Sequence, residues 1–186
     1  MDPRYADYPS VFLHTGDCFL GVRPTMVSTV LGSCVGVTMF SPRLQAAAIC
    51  HAFMPTAQSA RRWMENEPQP CRFVDTALER MLQGMERLGA KPRELEIKVF
   101  GGASGYAPGM DVDSCLSIGL RNVTQVDLEL ERRGLAPMVR DVGGSRGRKI
   151  FLLTSTGEVW LKRLGGMRAE DLSNAKLARE PSGDRV

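Results

Sequence analysis

Between Ser28 and Phe53 the chain is rich in Val, Ala, Cys and Thr and is broken once, at Ser41-Pro42-Arg43. Two extended runs joined by a proline-led break read as a β-hairpin. After a polar stretch holding Pro55, Pro68 and Pro70, read as a long loop, the period changes. Val74, Ala77, Leu78, Met81, Leu82, Met85 and Leu88 recur at helical spacing, and Gly89 follows as a C-cap. Leu95 to Phe100 alternates as a strand and stops at Gly101-Gly102. Leu120, Val123, Val126 and Leu130 stripe a second helix that ends at Gly134. Met138-Val139-Arg140 reads as a short strand, and residues 149–154 and 158–164 as another hairpin. Each helix needs a sheet to cover its one apolar face. The order therefore predicts an α/β (α+β-like) fold with helices on a mixed or antiparallel sheet. Residues 1–11 are expected to be a loose arm, 12–164 one domain and 165–186 a mobile tail.

The chain has 186 residues, 43% of them hydrophobic, enough for one sizeable core. Its net charge of +3 is mild and spread over short arginine pairs such as Arg61-Arg62 and Arg132-Arg133, so charge gives no support to nucleic-acid binding. No apolar run reaches the ~20 residues that span a bilayer, which argues against direct membrane insertion. The five cysteines, Cys18, Cys34, Cys50, Cys71 and Cys115, form no C-x-x-C pair. That spacing speaks against a zinc site and a disulfide framework and for a reduced, cytoplasmic protein. The glycine cluster 143–148 lacks the phosphate-loop pattern and precedes a strand, so it reads as a turn.

Chemistry concentrates in the first hairpin. With Pro42-Arg43 as the two central turn residues, paired positions sum to 85, Gly36 faces Ile49, and Cys34 faces His51. Opposed residues share a face with Cβ atoms about 4.5–5.5 Å apart, close enough for an imidazole to take a proton from a thiol. Gly32 allows a bend before the cysteine, and amides around Gly32, Ser33 and Cys34 are candidates to face an oxyanion. Ser28 or Thr29 could orient the imidazole. His14, the other histidine, has no evident partner. A buried cysteine and a packed histidine are the blander occupants of such strands.

The segment Leu31-Gly32-Ser33-Cys34-Val35 resembles the nucleophile motif of the CheD family of chemoreceptor glutamine deamidases. Cys50-His51-Ala52-Phe53-Met54-Pro55 is similar to that family's histidine segment. Phe100-Gly101-Gly102-Ala103, then Ile118-Gly119 with Arg121-Asn122, then Asp141-Val142-Gly143-Gly144 with Gly147-Arg148-Lys149-Ile150, follow in the family's order. The resemblance implies helices covering a β-sandwich, a fold shared with the cytotoxic necrotizing factor deamidases. It implies a catalytic Cys34–His51 pair with a hydroxyl third member, Ser28 or Thr29. Phe100, Gly101 and Gly102 would line the substrate or oxyanion site. It implies no metal and no cofactor. Methyl-accepting chemotaxis receptors would be the substrates, and a CheC-type phosphatase would be a protein partner. The rival readings are a non-catalytic adaptor for those partners and another Cys–His hydrolase.

Overall fold

The computed structural model describes residues 7–57, 71–104 and 112–165, with side chains in the second helix described from Ile118 onward. The expected arm residues 1–6, the Arg61-Arg62-Trp63 loop, the Cys115 side chain and the tail 166–186 lie outside the described residues.

Nine strands and two α-helices make up the described chain. They are β1 (Ser10–Phe12), β2 (Cys18–Gly21), β3 (Met26–Leu31), β4 (Val35–Ser41), β5 (Ala46–Ala52), α1 (Val74–Arg87), β6 (Glu96–Gly101), α2 (Val112–Arg132), β7 (Val139–Val142), β8 (Arg148–Leu153) and β9 (Val159–Arg163). They form a four-stranded sheet in the order β1-β3-β8-β9 and a five-stranded sheet in the order β2-β5-β4-β6-β7. Strand period 2 decides what each sheet buries. In β4 and β5, Val35, Val37, Met39, Ala46, Ala48, Cys50 and Ala52 pack against the helices. The alternate residues Phe40, Ala47 and Ile49 pack against Val27, Leu31, Ile150 and Leu152 of the other sheet. The central strands are buried on both faces, which is why they read as unbroken apolar runs. The result is three layers: sheet, sheet and helices, a mixed α+β sandwich. Helix α1 buries Val74, Ala77, Leu78, Met81, Leu82 and Met85, and each large side chain so placed stabilises by about 1.5–3 kcal/mol.

The structure corrects several sequence expectations. Ser10 and Val11 were assigned to the loose arm, but they belong to β1, which pairs in parallel with β3. The run from Ser28 to Phe53 is not one hairpin. Its start, Ser28 to Leu31, is the end of β3 and lies in the four-stranded sheet, and the chain crosses between sheets at residues 32–34. The register of the true hairpin, β4–β5, is Ser41 opposite Ala46 and Gly36 opposite His51. Paired positions sum to 87, two more than expected, because the turn holds four residues and Gln45 takes a positive φ of 49°. Arg43 secures that wider turn by bonding Glu94 at 2.8 Å and Gly89 O at 2.7 Å. A two-residue shift keeps every side chain on its expected face, whereas a shift of one would have reversed them all.

The expectation of unpaired thiols also fails. Cys18 and Cys71 form a disulfide with Cα atoms 5.8 Å apart. Cys18 lies on edge strand β2 beside Cys50, and Cys71 leads into α1, which covers that strand. The two are 53 residues apart in sequence, so only the packing of α1 over the sheet could reveal the pair. Among the described residues no helix is long and apolar enough to cross a membrane.

Candidate active site

The candidate residues converge at one end of the inter-sheet layer. His51 follows Ile49 by two on β5 and shares its inward face, and it is only 5% exposed. Thr29 lies between Val27 and Leu31 on β3 and shares theirs. Cys34 sits on the crossover bend, half-buried against the same cluster. Alternation therefore separates the two hydroxyl candidates. Thr29 is fully buried with its Oγ1 2.8 Å from His51 Nδ1. Ser28 points to the opposite face of β3 and holds the site only through its carbonyl, which accepts from Leu13 N at 2.8 Å.

The Thr29 hydroxyl donates to Leu13 O at 2.8 Å, so toward the ring its oxygen can only accept. Nδ1 must then carry the proton, which leaves the Nε2 lone pair free to act as a base. Thr15 Oγ1 stands 3.4 Å from Nε2, at the long limit of a hydrogen bond. The backbone of His51 is fixed as well: its N–H donates to Asp17 O at 2.9 Å, and its carbonyl accepts from Gly16 N at 2.8 Å. Thr15 and the Leu13 carbonyl were not among the sequence candidates. They come from a segment whose only signal was its nearness to His14.

Burial holds the His51 imidazole below the ordinary histidine range, against the raising effects of the Leu13 carbonyl and Asp17. Burial likewise pushes the Cys34 thiol up, opposed by its own backbone amide. The resting thiol and imidazole are thus both neutral, and among the described residues no hydrogen bond joins Cys34 to His51: the ring's side-chain contacts are Thr29 and Thr15. Cys50 neighbours His51 in sequence but faces the helices, and burial pushes its thiol up to about 11.

The glycines at the end of β6 act on the Gly32–Cys34 bend from beneath. Gly102 N donates to Cys34 O at 2.7 Å, and Ala103 N donates to Gly32 O at 2.8 Å. Gly101 has φ 104°, and a Cβ there would lie 2.2 Å from Cys34 O. These contacts revise the expected roles. The Gly102 amide is committed to the bend and is not offered to an oxyanion. Phe100 is 3% exposed and belongs to the inter-sheet core, away from any substrate surface. Gly32 has no positive φ, and a Cβ on it would meet nothing within 4 Å, so the bend does not depend on its freedom. Ser33 and Cys34 remain part-exposed, and among the described residues neither amide donates to another residue.

Arg148 completes the support. It is 1% exposed and donates to Gly101 O and to Gly143 O, the latter at 2.7 Å. Its Nε lies 3.0 Å from Asp141 Oδ1, and Arg163 pairs with the other oxygen of Asp141 at 2.6 Å. A cation rising from β8 thereby holds the end of β6 in the opposite sheet. The 143–148 glycine cluster is a turn, as its sequence suggests, and its Gly143 carbonyl is turned inward onto Arg148. Among the described residues no three His, Cys, Asp or Glu side chains gather as metal ligands.

If Thr29 orients the imidazole, Thr29→Val strands Nδ1–H in an apolar layer. An unsatisfied buried donor costs about 1–3 kcal/mol, or roughly 10–100-fold in rate if the loss falls on the transition state. Steady-state turnover should show that loss, recovery in Thr29→Ser, and near-normal rates in Ser28→Ala. A normal rate in Thr29→Val would remove the hydroxyl from the mechanism.

The chain is similar to known proteins over most of its length. Residues 53–163 match the family model described as CheD chemotactic sensory transduction. A Maridesulfovibrio salexigens protein named "Probable chemoreceptor glutamine deamidase CheD" is 50% identical over 165 residues, covering 88% of this chain and 97% of that one. A Geobacter sulfurreducens relative, named as CheD 2 of the same kind, is 40% identical over 175 residues, covering 91% and 99%. A Thermococcus kodakarensis relative is 37% identical over 150 residues, covering 80% and 89%. With a family match across more than half of the chain, and relatives matched over nearly their full length, the chain belongs to the CheD family.

Proposed function

We propose that the protein is a protein-glutamine deamidase that converts glutamines of chemotaxis receptors to glutamate, with Cys34 as nucleophile, His51 as base and Thr29 as the group that orients it. The observation that carries this reading is the 2.8 Å contact of Thr29 Oγ1 with His51 Nδ1, which leaves Nε2 unprotonated on the face that Cys34 shares.

The steps follow from that arrangement. Nε2 takes the thiol proton as sulfur attacks the side-chain carboxamide carbon. The carbonyl oxygen becomes an oxyanion facing the Ser33 and Cys34 amides. The imidazolium gives its proton to the departing nitrogen, ammonia leaves, and a thioester remains. Water, deprotonated by Nε2, hydrolyses the thioester to glutamate and restores the thiol. No metal or organic cofactor is called for. Past the end of β5, a groove of about 690 Å³ runs between Met54, Pro55 and Thr56 and the α2 residues Ile118, Leu120 and Arg121. Its mixed apolar and basic lining suits one face of an amphipathic receptor helix.

The test is to incubate the protein with receptor fragments and follow amide-to-acid conversion at glutamine by mass spectrometry. Backbone cleavage or amine incorporation would point to another thiol enzyme. The pH profile adds a second check. Catalysis needs unprotonated His51, whose pKa burial lowers. Activity should therefore persist below the usual histidine midpoint of about 6.5 and fall only at more acid pH. An acid limb centred above that value would contradict the buried, neutral imidazole.

A CheC-type phosphatase is the protein partner we propose, testable by co-purification. The proposed site of action is the cytoplasm. Dithiol reductants there open most disulfides, so Cys18 and Cys71 should be recovered as thiols from cells. An intact bond in cell extracts quenched with alkylator would speak against that placement.

A further inference from the structure

The nucleophile bend is held by its carbonyls. Gly32 O accepts from Ala103 N at 2.8 Å and Cys34 O from Gly102 N at 2.7 Å. Between them, Ser33 O accepts from the side chain of Asn122 on α2, Nδ2 to O 3.0 Å. The same Nδ2 also donates to Phe53 O at 3.0 Å, two residues past His51. One amide group therefore bridges the segment carrying the thiol and the segment carrying the imidazole. Asn122 reaches them because α2 lies directly on the end of β6. One turn earlier, a Cβ on Gly119 would stand 2.8 Å from Gly102 O and 3.0 Å from Ala103 O.

Two further observations separate this from ordinary packing. Asn122 is fully buried, yet its Oδ1 has no donor among the described residues. A buried acceptor without a donor lowers stability, so packing alone does not account for an amide at this place. In addition, the bend has all three successive carbonyls tied down, while its Ser33 and Cys34 amides donate to no other described residue. Such a run of free N–H groups forms a nest for a negative charge.

We infer that Asn122 is a positioning residue: it sets the spacing of the nucleophile bend against the base strand and holds the Ser33 and Cys34 amides toward the oxyanion. This rests on the proposed deamidase reading. Displacing a catalytic group by about 1 Å costs on the order of 100-fold in rate.

In Asn122→Ala, kcat for glutamine conversion should fall about 100-fold with KM little changed. Alkylation of Cys34 by iodoacetamide depends on the spacing to His51 but develops no oxyanion, so it should fall by a clearly smaller factor than kcat. If alkylation fell as far as kcat and the thermal midpoint fell with them, Asn122 would be a packing residue only and the inference would be overturned. Asn122→Asp covers the case in which the alanine variant does not fold. Burial raises the pKa of a carboxyl, and only its protonated form can donate to Ser33 O. Its kcat relative to wild type should decline as pH rises, and a ratio independent of pH would overturn the inference. Should the wild type itself leave receptor glutamines intact, the functional reading fails separately. Hydrogen exchange then decides on Asn122. Its loss should speed exchange of the Gly102 and Ala103 amides and leave those of Ala48 and Val99 unchanged, and unchanged exchange at all four would overturn the placement.

Discussion

Cys34→Ala should abolish glutamine conversion, lowering kcat/KM by at least about 10⁴-fold while the fold persists. Without sulfur no thioester can form, and the remaining amides and imidazole have nothing to assist. Cys34 is half-buried on a bend whose anchors are backbone carbonyls. Its truncation should therefore shift unfolding free energy by no more than about 0.5–1 kcal/mol. Thermal unfolding and receptor-fragment mass spectrometry, run on the same preparation, separate the two quantities. Cys50→Ala is the control. That thiol sits among the helix-facing residues with its pKa pushed to about 11, so its loss should leave turnover largely intact. The adaptor reading predicts the reverse in cells: a Cys34→Ala protein would keep its full effect on chemotaxis.

Gly101→Ala should damage both stability and rate although no reacting atom is removed. The added Cβ would fall 2.2 Å from Cys34 O, and φ at Gly101 is 104°, a backbone region that L side chains rarely adopt. A left-handed backbone costs a non-glycine residue about 1–2 kcal/mol, and overpacking adds about 1–3 kcal/mol, so chemical denaturation should show roughly 2–5 kcal/mol of loss. The relief open to the chain is to push the Cys34 carbonyl away, which carries the thiol with it. A rate loss of about 100-fold or more is expected in the fraction that remains folded. Gly143→Ala isolates the backbone contribution. It has φ 72° but open space around its Cβ position, so it should lose only about 1–2 kcal/mol and keep most of its activity. Equal effects at both glycines would mean that the contact with Cys34 O is not what Gly101 protects.

Much of this was legible in the residues themselves. The helix at Val74–Arg87 was set by its 3.6-residue stripe, and the central strands by apolar runs too short for helices. Cys34 and His51 were readable as a candidate pair because they flank one short hairpin, Cys34 on the bend just before β4 and His51 on β5, where short sequence separation limits the geometry. The limits appear where spacing alone had to choose. Pro42 announced a turn but not its length, because turn width also depends on Arg43 reaching Glu94 and Gly89 O from outside the hairpin.

Other features could be decided only by tertiary structure, since each depends on elements far apart in the chain. Ser28 and Thr29 are equivalent as hydroxyls in sequence. The face that β3 turns toward β5 in the other sheet selects Thr29. The Cys18–Cys71 bond exists because α1 covers an edge strand. Gly101 and Gly102 are expected from the sequence to line the substrate or oxyanion site, and Asn122 stands out only as a motif residue. Their role arises where the end of β6 and one turn of α2 meet the three-residue crossover between sheets. The sequence by itself determined which side chains could do the chemistry. The packing of two sheets and a helix decided how they are held, because hydrogen bonds to the carbonyls of a bend come from whatever lies beneath it.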